Sequence, residues 1–229
     1  MAAHPHAPDT PTDAIENYAK AIYALQGKTG GAPVTTNALA ERLGVTPASA
    51  SAMVKRLSER GLADHEPYKG VELTEAGRNV ALEVLRHHRL LELYLAQHLD
   101  VPWDRVHEEA EALEHVISED LEARIAAKLG NPSHDPHGDP IPTSDLSIDE
   151  GDTTSLALLD IGDRGVFARI SDSDPEMLRY LDKRGVRLGD RLEILERQPF
   201  GGPLTVRFGK TTHALGGALA AAMRIQRDA

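Results

Sequence analysis

The sequence predicts a multidomain chain that is mainly α with a small β domain at its C-terminal end. Three observations carry that expectation. Apolar residues recur with helical spacing from Asp13 to Leu129, a proline- and glycine-rich stretch then interrupts the pattern, and short β-type runs separated by Gly-Asp turns replace it from Thr154. The expected boundaries are a disordered leader at 1–12, a first domain at 13–78, a second at 79–130, a linker at 131–153 and a terminal domain at 154–229.

Composition removes several classes. The 229 residues carry a net charge of −11 and no cysteine, so disulfides and thiolate metal sites are excluded. Spanning a membrane takes about 20 consecutive apolar residues, and the chain has no such run. Met1 to Pro11 is rich in Ala, Pro and His, with no basic region ahead of an apolar core, so it does not read as a signal peptide. A cytoplasmic location follows by default. The acidic balance argues against bulk binding to nucleic acid, but a local surface is decided by distribution.

Asp13 to Gln26 reads as an amphipathic helix with Ile15, Ala19, Ile22 and Leu25 or Tyr23 on its apolar stripe. A loop follows at Gly27 to Pro33. Thr35 to Leu43 reads as a second helix, capped by Thr35 or Thr36, with Leu39, Ala40 and Leu43 inward. Gly44-Val45 turns the chain, and Thr46-Pro47 opens a third helix, Ala48 to Arg60, with a cap and a proline in the favoured order. Helix, tight turn, helix is the helix-turn-helix pattern. In the second of the pair, Ala48, Ser49, Ser51 and Ala52 are small enough for a close approach to a groove, and Lys55 and Arg56 can reach phosphates. Met53, Val54 and Leu57 point inward. Ala63 to Thr74 reads as a β-hairpin wing tipped by Tyr68, Lys69 and Gly70. Between Thr35 and Arg78 there are six basic and six acidic residues, so this third is far less acidic than the whole. The candidate DNA contacts are Thr46, Ala48, Ser49, Ser51, Lys55, Arg56, Tyr68 and Lys69. One module of this size binds weakly, which points to a dimer on a two-fold, palindromic site in double-stranded DNA.

The stretch from His88 to His115 carries the metal chemistry. Ala76 to Leu99 reads as one long helix and Trp103 to Leu129 as another. His88 and Glu92 are four apart and share a face of the first. On the second, His107, Glu111, Glu114 and His115 fall within an arc of roughly 100°. Ala110, Leu113, Val116 and Ile117 take the opposite, core side. No lysine or arginine lies in the polar arc. A Glu-rich helix face is ordinarily just solvated, but two helices carrying imidazoles and carboxylates are better explained by a divalent cation between them, and this donor mixture suits Mn, Fe or Zn.

Leu82, Leu85, Leu90, Leu93, Leu95 and Leu99 exceed what one helix must bury, which fits a dimer interface or a plain intrachain core. Gly130 to Ile148 reads as a linker without regular structure, and its His134 and His137 as inert. Strands are expected at Leu156 to Ile161, Gly165 to Ile170, Arg191 to Glu196 and Leu204 to Phe208, with a helix at Pro175 to Arg184. Near the end, His213 to Gly216 can begin a strand and Leu219 to Met223 a short helix. Together these make a small barrel.

A winged helix-turn-helix, a His/Glu two-helix segment, a Pro-rich linker and a small barrel, in that order, resemble the diphtheria toxin repressor family of metal-activated repressors. The likeness covers nearly the whole chain after the leader. Its most specific motifs are Arg86-His87-His88-Arg89-Leu90-Leu91-Glu92 and Val106-His107-Glu108-Glu109-Ala110-Glu111-Ala112-Leu113-Glu114-His115, with Asp135-Pro136-His137-Gly138-Asp139-Pro140-Ile141-Pro142 in the linker. The resemblance implies a winged helix-turn-helix domain, a helical dimerisation domain and an SH3-like (FeoA-like) barrel. It also implies two metal sites per subunit. One would use His88, Glu92 and His107 with Asp172 from the barrel, Asp174 or Glu176 being the other possibilities; the second would use Asn17, Glu111, Glu114 and His115. Iron-responsive members carry Met and Cys where this chain has Asn17 and Glu111, and manganese-responsive members carry acids at both. Glu111 follows the manganese pattern and Asn17 follows neither. An oxygen-rich site favours Mn²⁺, with Fe²⁺ the alternative; Co²⁺ and Zn²⁺ would also bind.

The expected function is therefore a metal-activated repressor that forms a homodimer, with no membrane role. Two other classes remain: a metalloenzyme, for which no nucleophile or base in a distinct cleft is evident, and a metal-independent regulator whose barrel binds a partner.

Overall fold

The computed structural model describes residues 11–66 and 69–228. Most of the proposed leader and Tyr68 thus lie outside the described residues. Two compact units share the chain. One takes residues up to His88 together with 112–118 and 142–147, and the other takes 89–111, 119–141 and 148 onward.

In the first unit, α1 (Pro11–Lys28) starts two residues earlier and ends two later than its apolar pattern predicts. Proline is tolerated there because the first helical N–H has no intrahelical partner. Ile15, Ala19 and Ile22 are buried as expected, and Tyr18 and Ala21 join them. Ile15, Tyr18, Ala21 and Ile22 pack with Leu39 and Ala40 of α2 (Thr36–Leu43) and with Ala50, Val54 and Leu57 of α3 (Pro47–Glu59). Thr35 caps α2 by accepting from the Ala38 N–H, and Thr46 caps α3 by accepting from the Ser49 N–H. Strands β1 (Ala63–Glu66) and β2 (Gly70–Leu73) form the antiparallel wing, anchored by Val34, whose backbone exchanges two hydrogen bonds of 2.9 Å with Val71. Thr74 then starts α4 (Glu75–His98): its hydroxyl donates to the Gly61 carbonyl at 2.7 Å and accepts from the Gly77 N–H at 3.2 Å.

The helix expected from Trp103 to Leu129 is two helices, α5 (Val106–Leu113) and α6 (Glu119–Lys128). Between them the Val116 N–H bonds back to the Leu113 carbonyl in a tight turn, and the β-branched pair Val116-Ile117 follows. The burial is also the reverse of the expected one in this turn. Glu114 is 1% exposed, whereas Leu113 and Val116 are 38% and 73% exposed. Of the six leucines of α4 and its end, only Leu99 is exposed, so the others serve the chain's own core.

The second unit contains the barrel. Its strands are β3 (Thr154–Ser155), β4 (Arg164–Ile170), β5 (Arg191–Arg197), β6 (Leu204–Phe208), β7 (Thr211–Leu215) and β8 (Met223–Arg227), in the order β3-β8-β4-β5-β6-β7 and all antiparallel. Helices α7 (Pro175–Asp182) and α8 (Gly217–Ala222) close it over a core built on Phe167, Ile170, Leu178, Leu181, Ile194 and Val206. The strand expected at Leu156 to Ile161 is instead a 3-10 turn at Leu156–Leu158, capped by the Ser155 hydroxyl. Leu156 and Leu159 are buried while Leu158 and Ile161 are exposed, which is the spacing of a turn and not of a strand. The last strand, β8, follows the short helix without a signal in the sequence pattern. It lies between β3 and β4 with Met223 and Ile225 alternating inward.

Candidate metal centre and nucleic-acid interface

Glu92, on α4, is 1% exposed and faces imidazoles on both sides. Its Oε1 is 3.5 Å from His107 Nδ1 on α5, and its Oε2 is 3.7 Å from His137 Nδ1. His107 Nδ1 is also 2.8 Å from Asp172 Oδ2, while its Nε2 lies 3.8 Å from Glu111 Oε1. Glu92, His107 and Asp172 each offer a donor atom within 4.8 Å of the others, and so do Glu92, Asp135 and His137. His88 stands one helical turn before Glu92 on the same helix. Asp172 is thus the barrel residue brought to this group. Asp174 instead caps α7, accepting from the Glu176 N–H at 2.9 Å.

His137 corrects the expectation that linker histidines are inert. The stretch from His134 to Pro140 is not irregular but a tight loop: the Asp135 N–H bonds the Asp139 carbonyl at 3.0 Å, and Asp135 Oδ1 accepts from the N–H groups of His137 and Asp139. The Ile170 N–H of β4 bonds the His137 carbonyl at 2.9 Å, so the loop is pinned to the barrel. The His137 ring is fully buried. Its Nε2 donates to the Trp103 carbonyl at 2.7 Å, and its Nδ1 has no hydrogen-bond partner among the described residues. A carbonyl only accepts, so in the neutral ring Nε2 carries the proton and Nδ1 presents a bare lone pair toward Glu92. Two facing acceptors in a dry site need a positive species between them.

Titration follows the same logic. The hydrogen bonds to Asp172 and then Glu92 raise His107 to about 10. Burial pulls His137 down, but Glu92 outweighs it and lifts that ring to about 9. Burial, and then the charges of Asp139 and Glu92, push Asp135 well above the usual carboxylate range. Among the described residues, Arg89 and Arg169 bring guanidinium charge to these acids, Arg89 standing 3.6 Å from Asp139 and Arg169 pairing with the same carboxylate. With both rings neutral the group is short of positive charge, and its oxygen and imidazole donors, with no sulfur, fit a divalent ion.

The second group gathers around Glu114. Its side chain is fully buried, with Oε2 2.5 Å from His88 Nδ1 and Oε1 2.5 Å from the Lys20 ammonium and 3.4 Å from His115 Nε2. His115 Nε2 also lies 3.0 Å from Asn17 Oδ1, and its Nδ1 2.6 Å from Glu16 Oε2. Burial pushes Glu114 up, but the His88 hydrogen bond and the Lys20 charge together hold it below its usual value. Asn17, Glu114 and His115 are therefore together, as expected. Glu111 lies on the preceding turn of helix, with His107 as its neighbour. Glu16 and Lys20 were missed, although both sit beside Asn17 on α1; a charged pair there is the one signal that pointed to them. For Asp135 and His137 the signal was Pro-His-Gly embedded between two aspartates, which is unusual for a free linker.

On the DNA side, Thr46, Ala48, Ser49, Ser51 and Lys55 are exposed along α3 and Arg56 is half-buried. The Thr46 and Ser49 hydroxyls are 2.9 Å apart, so the cap and the exposed serine are held as a pair. Lys69 at the wing tip pairs with Glu66 at 2.5 Å, and Lys55 with Glu59 at 3.6 Å. Such exposed pairs contribute at most about 1 kcal/mol and exchange readily for phosphate.

A capped reading helix, a wing tipped by Lys69 and a first helix that reaches a carboxylate–imidazole group are the arrangement of a winged helix-turn-helix domain joined to a candidate metal centre. Comparison with known proteins gives the family. Residues 11–71 match the iron-dependent repressor N-terminal DNA-binding domain, 74–143 the iron-dependent repressor metal-binding and dimerisation domain, and 154–227 the FeoA domain. The diphtheria toxin repressor of Corynebacterium glutamicum is 30% identical over 226 residues, covering 94% of this chain and 96% of the relative. The iron-dependent repressor IdeR of Mycobacterium tuberculosis is 41% identical over 130 residues, covering 57% of this chain and only 56% of the relative. A manganese-dependent transcriptional repressor solved in complex with manganese superposes with a TM-score of 0.87 at 42% identity, covering 93% of this chain and all of that one, and the manganese regulator SloR with 0.77 at 30%. The chain belongs to the diphtheria toxin repressor family. Among the described residues, no helix is long and apolar enough to cross a membrane.

Proposed function

We propose that this chain is a metal-activated transcriptional repressor that acts as a homodimer on a palindromic operator in double-stranded DNA and controls genes of metal homeostasis. Manganese is the proposed ion, with iron the alternative, because the donors around Asn17 are oxygen and imidazole with no sulfur. A cytoplasmic site of action goes with that role. In this reading His88, Glu92, His107 and Asp172 hold one ion, with Asp135 and His137 as further donors at Glu92, and Asn17, Glu111, Glu114 and His115 hold the other. The ion supplies the positive charge that lets buried carboxylates and neutral imidazoles stay together.

One observation carries the reading. Helix α1 gives Ile15, Tyr18 and Ile22 to the core of the DNA-binding domain, while its opposite face carries Glu16, Asn17 and Lys20 to His115 and Glu114. Holding that face fixes the orientation of the helix against which α3 packs.

The test is fluorescence anisotropy on a duplex selected for binding, at buffered free Mn²⁺, Fe²⁺, Co²⁺ and Zn²⁺. Coupling between ligands is typically 1–3 kcal/mol, so the activating metal should raise DNA affinity about 5- to 150-fold. Glu114→Ala should lose that gain. A Glu114→Ala protein that keeps the whole metal response refutes the assigned switch, and a wild-type protein indifferent to all four ions refutes the function.

A further inference from the structure

We propose that Lys20 is the chain's own counter-ion for Glu114 in the metal-free protein, so that activation exchanges the Lys20 ammonium for a divalent cation at the same carboxylate oxygen. This rests on the reading of Glu114 as a metal ligand. The Lys20 ammonium lies 2.5 Å from Glu114 Oε1, the two side chains being 14% and 0% exposed. That oxygen is the one turned to His115 Nε2, at 3.4 Å, and His115 Nε2 in turn faces Asn17 Oδ1 at 3.0 Å. The ammonium therefore sits on the Glu114 oxygen that faces His115, one of the other donors assigned to the ion. The other oxygen, Oε2, is engaged by His88 Nδ1 at 2.5 Å. A divalent ion and an ammonium cannot both bond Oε1 without strong repulsion, because water is largely excluded here and screens little.

Two consequences follow, with opposite signs. Lys20 stabilises the metal-free fold, since a buried carboxylate that loses its partner is costly. It also raises the metal concentration needed for activation, since the ion must displace it. A residue with a purely structural role would, when replaced, weaken both the fold and the metal site.

The experiment uses the full chain and Mn²⁺ itself. Calorimetric titration of wild type, Lys20→Met, Lys20→Gln and Lys20→Arg is paired with thermal unfolding without metal and at saturating Mn²⁺. Lys20→Met and Lys20→Gln should bind Mn²⁺ at least about tenfold more tightly at the Glu114 site. They should also melt several degrees lower without metal and gain more on its addition. Lys20→Arg, which keeps the charge, should bind no more tightly than wild type. Neutral variants that bind Mn²⁺ within threefold of wild type, or more weakly, overturn the exchange. Glu114→Ala separates the two ideas: if it removes no Mn²⁺ site from the wild type, the ligand reading fails and takes this inference with it. If it removes one while the neutral variants bind as wild type, the exchange alone is wrong.

Discussion

Replacing Gly138 by alanine tests whether the linker loop belongs to the metal centre. Gly138 has φ +83°, and a Cβ there would overlap the Ala168 carbonyl oxygen and meet the Ala168 carbonyl carbon and Arg169 Cα at 3.0 Å. A side chain at positive φ costs about 1–2 kcal/mol. Relieving the overlap means lifting the loop from β4, which breaks the 2.9 Å bond from the Ile170 N–H to the His137 carbonyl and costs about 1 kcal/mol more. The loop carries Asp135 and His137 to Glu92, so this cost is subtracted whenever those donors are in place. The total, about 2–3 kcal/mol, corresponds to roughly a 30- to 150-fold loss of metal affinity. Calorimetric titration with Mn²⁺ reads it directly. Gly130→Ala is the control, because Gly130 has φ +79° but nothing within 4 Å of its would-be Cβ. If Gly138→Ala binds Mn²⁺ within threefold of wild type at both sites, Asp135 and His137 do not contribute, and the loop is only a spacer.

Other consequences can be checked separately. Lys55→Ala removes an exposed cation of α3, so DNA affinity should fall about equally on all sequences and the slope of log affinity against log salt should drop by about 1, as read by anisotropy across salt concentrations. Val116 is 73% exposed on the turn after α5; if it lies in the proposed homodimer's interface, Val116→Asp should shift that dimer toward monomer in sedimentation, with each monomer's melting temperature nearly unchanged. His107 gives the metal-free fold a pH dependence. Its proton is held more tightly in the folded chain, where it is raised from 6.5 to about 10, so its stabilisation is complete below pH 6.5 and fades as pH climbs to about 10. Metal-free melting temperature should fall across that interval, and His107→Gln should flatten the fall.

The sequence made the DNA-binding end almost fully legible, because caps and punctuation there are local. Thr35, Thr46-Pro47 and the wing all signal through neighbours a few residues away. The same holds for His88 and Glu92, four apart on one helix. The failures share a physical cause, which is burial decided by distant residues. His137 reads as a linker histidine until β4 and the Trp103 carbonyl fix its backbone and its ring. Leu113 and Val116 read as core on an unbroken helix, whereas the chain leaves helical geometry at Glu114 and turns the carboxylate in. Leu156 to Ile161 has strand-like composition, but only the pair three apart is buried. Lys20 was indistinguishable from any surface lysine of an amphipathic helix, since its partner is 94 positions away.

Charge balance around Glu92 leads to a sharper expectation. Glu92, Asp135 and Asp139 are buried and Asp172 is largely so, against two guanidinium groups, Arg89 and Arg169. With all four acids ionised, two negative charges are left unbalanced before the imidazoles are counted. Two species can balance it: a pair of imidazolium rings at His107 and His137, or one divalent ion beside two neutral rings. The lifted values of about 10 and about 9 describe the first state. The bare Nδ1 of His137 suits the second, in which a ring nitrogen that had faced Glu92 becomes a donor to the ion. Protons and metal are then alternative occupants of one site, and loading must expel protons at neutral pH. Calorimetric titrations in buffers of different ionisation enthalpy count them. Release of protons that declines as the starting pH is raised toward 10 is expected, and its loss in His137→Gln should be partial because His107 still titrates. A binding heat independent of the buffer would mean that the rings are already neutral in the metal-free protein, and that Glu92 is balanced by something else.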